Sequence, residues 1–419
     1  MRIELLDLNP KGGTAGVLDV DGDTVTVVAG PDWLERDVRD GLKNAFWAAG
    51  VDAGEGLHAM VAVPVPADLG ERIVAMTRRP LTLSDGRSVV AGGIEGREAE
   101  ADLASRPEIG PQYQGDTQFQ ARMRFHQSWY RSRLLRVPHG TGPQAGSEKP
   151  LGNMLADAAG TAGMNFLDSG IFDVVRARLA LKTGTVDEYR LLNNMLSSQP
   201  MCFNLFGPMV DDLGLATRVF SRLLPDRVRQ VTAVKIEYAP EPASEFLADR
   251  TAFDAFVEYQ DVHGRPGFVG IETKLTEAFS PDEYDRKTYR VWSSRPDSPW
   301  PEEAWPGLAE KAHNQLWRDH LLAVAMRHHP RSTYESYHFM LIHHPLDRQI
   351  AGTVAHYKSL LKPEDRSFGV RPLDDLVFTT IRYVLEEARH HAWLTAFSRR
   401  YLDLHLSQQE WEAHCEKTQ

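Results

Sequence analysis

The sequence predicts a mixed α/β (α+β) fold, a central sheet flanked by helices, with a small N-terminal α+β domain in front of it. Three observations predict it. Periodicities in the second half run helix, strand, strand, strand, helix, strand, the order of a mixed core. Two of those strands are short, apolar-rich runs about a Gly264-Arg265-Pro266-Gly267 turn. Residues 1–105 instead carry two Asp-Gly hairpin signals.

In the N-terminal region, alternation over 17–28 around Asp21-Gly22 predicts a hairpin, and 81–90 around Asp85-Gly86 predicts a second. Between them 33–49 reads as a helix and 60–65 as a strand. Asp19-Val-Asp21-Gly-Asp23 alternates acids as a calcium loop does. Its glycine is misplaced and the closing glutamate is missing, so a plain turn is expected. The charged, Pro- and Gly-containing stretch 95–111 is the linker. The domains are therefore read as 1–105 and 112–419.

The second domain opens on a helix over 116–136, with Phe119, Met123, His126, Tyr130 and Leu134 at helical spacing. Arg122, Arg124, Arg131, Arg133 and Arg136 decorate it. A solvated basic face and a phosphate-contacting face fit them equally. Residues 137–151 are rich in Gly and Pro and read as a loop. Thr185-Val-Asp-Glu188 is a capping box, predicting a helix over 186–197. An unusual polar and aromatic mix follows from Ser197 to Pro208, then a helix over 211–224 and a strand over 231–238. After the 251–277 hairpin come a connection over 280–308, a helix over 309–328, a β-like run over 336–343 and one or two long helices over 373–404. Leu376, Ile381, Val384, Leu385 and Phe397 are their inward positions.

Composition bounds the chemistry. At 419 residues with 42% hydrophobic and 25% charged content the chain is an ordinary globular one. No apolar run approaches a membrane span, and Met1-Arg-Ile-Glu-Leu-Leu-Asp lacks the pattern of a signal peptide. Two isolated cysteines, Cys202 and Cys415, argue against a disulfide framework and fit a reducing cytoplasm. The net charge is −11. Residues 1–110 hold eleven basic and nineteen acidic side chains, so the remainder is near neutral and able to carry a local basic groove.

The chemistry concentrates in the hairpin. Glu272 and Lys274 lie two apart and share one strand face. Asp254 joins that face when paired positions sum to an even number. A turn centred on Gly264 satisfies this, setting Asp254 opposite Lys274 and Phe256 opposite Glu272. Phe253, Ala255 and Val257 then face a core with Val269, Ile271 and Leu275, so the apolar pattern selects the same register. Gly270, on the polar face, would leave room for a substrate. Two carboxylates beside a lysine suit a hard divalent ion, Mg²⁺ with Mn²⁺ as the alternative. Thr273 would add its carbonyl, and Lys274 would orient or deprotonate water and offset phosphate charge. An ordinary cross-strand salt bridge is the competing reading. The apolar flanks, shared face and neighbouring helices favour a metal-dependent phosphodiesterase.

The hairpin resembles two motifs of the PD-(D/E)xK nuclease superfamily. The run Leu196-Ser-Ser-Gln-Pro-Met-Cys-Phe-Asn-Leu-Phe-Gly-Pro208, with Asp249-Arg-Thr-Ala-Phe-Asp254, Gly267-Phe-Val-Gly-Ile-Glu-Thr-Lys-Leu-Thr-Glu277 and Asn314-Gln-Leu-Trp-Arg318, resembles its nuclease-like family of bacterial restriction endonucleases. The resemblance covers about 115 to 405 and leaves 1–105 unexplained. It implies a restriction-endonuclease-like fold, a metal ion and a DNA substrate. Asp254 and Glu272 match the metal acids and Lys274 the catalytic lysine, with Phe253 where the superfamily name implies Pro. Supporting candidates are Glu188 from the first core helix (a capping role is favoured), Glu237, Glu277, Gln315 and Arg318. Arg286, Lys287 and Arg290 are candidate phosphate contacts.

Other chemistries lack their residues. The histidine pairs at 328/329, 343/344 and 390/391 diverge on any regular element and do not make a zinc site by themselves. H-E-x-x-H, G-x-x-x-x-G-K-[ST] and G-x-S-x-G are absent. The expectation is a cytoplasmic, Mg²⁺-dependent DNA endonuclease in restriction or phage defence, compatible with a homodimer. Residues 1–105 are the candidate region for recognising a protein or other partner. Two alternatives stay open: a nuclease-derived binding or scaffold protein without cleavage, and a metal hydrolase of a non-nucleic phosphodiester.

Overall fold

The computed structural model describes residues 107–182, 186–280 and 284–418, with the backbone of five strands inside 1–106. The chain divides into two compact units, Met1–Arg106 with Glu387–Ala392, and Pro107–Glu386 with Trp393–Gln419.

The first unit holds β1 (Arg2–Asp7), β2 (Thr14–Asp21), β3 (Thr24–Ala29), β4 (Leu81–Thr82) and β5 (Ser88–Glu95). They form one antiparallel sheet in the order β3-β2-β1-β5-β4. Both expected hairpins are present, closing at Asp21↔Thr24 and Thr82↔Ser88. The expected helix over 33–49 and strand over 60–65 lie outside the described residues.

The second unit begins with α1 (Gln118–Trp129), started by a capping box between Thr117 and Gln120. Of the arginines over 116–136, Arg122, Arg124, Arg131 and Arg133 are spent within the protein rather than on either expected face. Arg131 is fully buried and donates to the carbonyls of Gly152 and Ile109 at 2.8 and 3.1 Å. Arg124 pairs with Asp116 and Arg133 with Glu410. The loop expected over 137–151 folds into a small ribbon of β6 (His139–Thr141) and β7 (Pro150–Leu155).

After α2 (Ser169–Ala180), the helix expected over 186–197 is shorter than expected. α3 (Glu188–Asn193) is capped by Asp187, and Asn194 turns extended to bridge Met154. α4 (Ser198–Asp211) restarts from a Ser197 cap, and α5 (Leu213–Leu223) follows. Long helices over 373–404 are likewise interrupted. Short helical turns run to Val384, Leu385 is extended, and a helix resumes at Ala388.

The central sheet has the order β12-β11-β10-β9-β8. Its strands are β8 (Gln230–Tyr238), β9 (Phe253–Gln260), β10 (Pro266–Lys274), β11 (Ser336–His343) and β12 (Phe368–Pro372). β8, β9 and β10 are antiparallel neighbours, whereas β10, β11 and β12 run parallel. The sheet is therefore mixed, as expected. α6 (Asn314–His328) makes the crossover from β10 to β11, and α7 (Arg348–Ser359) the one from β11 to β12.

Both faces of the sheet are covered. Ala255, Val257, Val269, Ile271, Met340 and Ile342 pack with α4 and α5. Phe256, Phe268, Phe339 and Leu341 pack on α6 and α7. Double coverage explains why Phe268, Val269 and Ile271, on opposite faces of β10, are all fully buried. No helix among the described residues is long and apolar enough to cross a membrane.

Candidate active site

β9 and β10 pair from Gln260↔Pro266 to Ala255↔Ile271. Paired positions sum to an even number, as the shared face requires, but the turn centres on His263 rather than Gly264. Asp261 sets it: its Oδ1 accepts from the amides of His263 and Arg265 at 2.8 and 2.9 Å. Phe256 therefore sits opposite Gly270, not Glu272. Continued by one step, the register brings Asp254 opposite Glu272, not Lys274. Phe253 also departs from expectation and joins the Phe256 side of the sheet. A Cβ on Gly270 would lie 2.5 Å from the Phe253 ring. The space left by Gly270 is filled by that ring and not by a substrate cleft.

Asp254, Glu272 and Lys274 do come together. Lys274 Nζ is 3.0 Å from Glu272 Oε1. Asp254 Oδ2 accepts from both the amide and the hydroxyl of Thr273, at 2.8 and 2.7 Å. Gln315, reaching from the first turn of α6, completes the group. Its Nε2 donates to Glu272 Oε1 at 2.8 Å, and its Oε1 accepts from Lys274 Nζ at 3.2 Å. The Phe279 ring lies 5.2 Å from Lys274 Nζ. Glu272 and Lys274 are only 4% and 6% exposed.

Glu237 ends β8 beside them, with φ of 55° in the left-handed region. Arg178 holds its carbonyl at 2.8 Å, and its Oε1 accepts from Gln199 Nε2 at 2.8 Å. Glu277 is fastened elsewhere: it accepts from the Ser198 amide and from Arg190, both at 2.7 Å. It fixes the start of α4 to the end of β10. Glu188 is exposed in the first turn of α3 and takes no part in the hydrogen bonds that join the cluster. Arg318 turns to Thr251 Oγ1 at 3.3 Å and stacks over the Tyr284 ring. Arg290 pairs with Asp285, Arg286 donates to the Ala248 carbonyl, and Lys287 is exposed.

Two side chains at the cluster had not been singled out. Asp319 lies one helical turn after Gln315, buried, with Oδ2 lacking a hydrogen-bond partner. Its signal was the Gln315/Asp319 spacing of four, which places both on one helix face. Gln199 belongs to α4, whose Cys202 Sγ also meets the Asp254 carbonyl at 3.3 Å. Prolines at 200 and 208 hid that helix in the sequence.

The electrostatics are those of excess negative charge in a dry place. Burial, then neighbouring Asp254, pushes Glu237 up to about 7. Burial pushes Asp319 up to about 7, against the pull of Arg318 and Lys274. Asp254 rises through burial, opposed by Thr273 and Lys274, and Glu272 rises well above the carboxylate range through burial and Asp254. Lys274 would be lowered by burial, but Glu272, Glu277 and Asp254 together raise it. Burial would likewise raise Glu277, yet Arg190 and the Ser198 amide hold it below its ordinary value. Among the described residues, Asp254 Oδ1 and Glu272 Oε2 accept no hydrogen bond. Under-compensated carboxylates with a free oxygen each are a donor set that suits a hard divalent cation.

No curated protein and no solved structure gives a match to this chain. A family model does, described as the PD-(D/E)XK nuclease superfamily, over residues 114–403. That span runs from the cap of α1 through the whole central sheet and both crossovers. The chain belongs to the PD-(D/E)XK nuclease superfamily.

Proposed function

We propose that the protein is a Mg²⁺-dependent DNA endonuclease whose working groups are Asp254, Glu272 and Lys274. The supporting observation is their convergence with Gln315 at one end of β9 and β10, with more buried carboxylate than cation. Asp254 Oδ1, Glu272 Oε2 and the Thr273 carbonyl would hold the metal. Mn²⁺ would serve the same oxygen ligands. A bound divalent ion supplies an acidified water and positive charge for the phosphorane-like transition state.

The chain's own groups divide the remaining work. Lys274, its pKa raised among carboxylates, stays an ammonium at neutral pH. It therefore offers charge and a hydrogen bond to phosphate or water rather than accepting a proton. Gln315 fixes both Lys274 and Glu272, and Thr273 fixes Asp254. Glu237 and Asp319 add carboxylates at the rim that retain protons near neutrality. A restriction or phage-defence setting is proposed from the motif resemblance. Two free thiols, Cys202 and Cys415, suit a reducing cytoplasm. Residues 1–106 are proposed to recognise a partner or trigger, in a monomer or homodimer.

The test is incubation of the purified chain with plasmid, linear, single-stranded DNA and RNA, with Mg²⁺ or EDTA. Cleavage that needs Mg²⁺ and is lost in Asp254→Ala, Glu272→Ala and Lys274→Ala supports the proposal. Cutting retained by all three sinks the site. DNA binding without cleavage favours the scaffold alternative, and hydrolysis of small phosphodiesters alone favours the third.

A further inference from the structure

Away from the Asp254–Glu272 pair, the second unit holds another group of metal-ligating side chains. Glu310, His313 and His356 each offer one ligand atom, and these lie within 4.8 Å of one another. Glu310 precedes α6, His313 is the residue at its N-cap, and His356 lies in the last turn of α7.

His313 is the informative member. Its Nε2 lies 2.6 Å from the Gly307 carbonyl and 4.0 Å from Glu310 Oε2. A carbonyl only accepts, so Nε2 carries the proton and Nδ1 presents a lone pair. That Nδ1 is buried and has no hydrogen-bond partner, in a residue 0% exposed. A buried acceptor left unmatched is costly and rare. One ring nitrogen on a backbone carbonyl, with the other lone pair unspent, is how a metal-bound histidine is held. The His356 ring centroid is 4.7 Å from that of His313, with the rings at 77°.

We propose that Glu310, His313 and His356 bind a Zn²⁺ ion at a site separate from the Asp254–Glu272 pair. Two imidazoles and one carboxylate suit a borderline ion rather than Mg²⁺, which takes oxygen. Three protein ligands leave a fourth tetrahedral position for water. The start of α6 is the positive end of its dipole and works against a cation, but the end of α7 and the Glu310 carboxylate work for one. The ion would clamp the connection before α6 to α7. Gln315 follows His313 by two residues, so the clamp would steady the turn from which Gln315 reaches Glu272.

The test uses the full chain carrying Asp254→Asn and Glu272→Gln, which removes the other carboxylate site. Zn²⁺ is titrated in competition with a chromophoric chelator, and Co²⁺ is followed by its visible absorption. One equivalent of Zn²⁺ and a tetrahedral Co²⁺ band are expected. Adding His356→Asn is expected to weaken Zn²⁺ by about 100-fold or more, beyond the 10–100-fold of outer-shell changes, and to abolish the band. Glu310→Gln, also at an exposed position, is expected to weaken binding with unchanged circular dichroism. No Zn²⁺ uptake, or equal uptake with and without His356 and Glu310, would overturn the proposal. Neither result bears on the roles of Asp254, Glu272 and Lys274.

Discussion

Gln315 donates its side-chain amide to Glu272 Oε1 at 2.8 Å, tying α6 to the end of β10. The same amide accepts from Lys274, so one neutral group orients both charges. Gln315→Ala is expected to lower stability by about 1–3 kcal/mol, the cost of stranding a buried polar partner. Cleavage should fall about 10–100-fold, as for other groups that orient metal ligands, and half-saturating Mg²⁺ should rise. Denaturant unfolding and a Mg²⁺ titration of the cleavage rate check both. An unchanged Mg²⁺ requirement would remove Gln315 from the site.

Charge excess at the cluster predicts an order of melting temperatures. In EDTA, Glu272→Gln is expected to melt above the parent, because it deletes a buried charge that Lys274 only partly offsets. Lys274→Ala is expected to melt below the parent, because it leaves Glu272 without its cation. Mg²⁺ should raise the parent's melting temperature and leave Glu272→Gln nearly unmoved. Scanning fluorimetry of the three proteins with and without Mg²⁺ decides it.

Stability should also fall with rising pH. Burial lifts Glu237 and Asp319 to about 7 in the folded chain, from ordinary values of 4.5 and 3.8. Between the two values the folded state holds more protons than the unfolded one. Their contribution is therefore fully present below the unfolded pKa and is lost as pH rises through 7. In EDTA the melting temperature is expected to decline from about pH 5 to about pH 8. Glu237→Gln and Asp319→Asn should each flatten that slope, and saturating Mg²⁺ should reduce it. A flat parent profile would contradict the burial of these carboxyls.

Phe253 and Gly270 are expected to be energetically coupled. Any side chain at 270 meets the Phe253 ring at 2.5 Å. Gly270→Ala should cost about 1–3 kcal/mol as overpacking does, and much less in a Phe253→Leu background. Additive losses in the double-mutant cycle would show that the contact is not the cause.

Much of this was legible in the sequence. The apolar alternation of β9 and β10 selected the correct parity, which suffices to place Asp254, Glu272 and Lys274 on one face. The register itself was off by two, because Asp261 caps the turn with its carboxylate and no glycine rule anticipates that. Phe253 was assigned to the wrong face because strict alternation lapses at the strand end. The basic stripe on α1 could not be read at all. Sequence shows charge, but only packing shows that Arg131 is buried and spent on backbone carbonyls. Glu277 was visible as an acid after the lysine, whereas its fastening to Ser198 and Arg190 depends on where α4 begins.

β10 lies beside β11 in parallel, pairing Gly267 with Ser336 and Lys274 with His343. Parallel partners cannot meet across a tight turn, so the intervening crossover must be completed and docked first. Glu272 thus acquires its Gln315 partner only after much of the domain has been synthesised and closed. Asp254, Glu272 and Lys274 meet within the β9–β10 ribbon itself, but the amide that orients two of them arrives only when α6 has docked on the sheet.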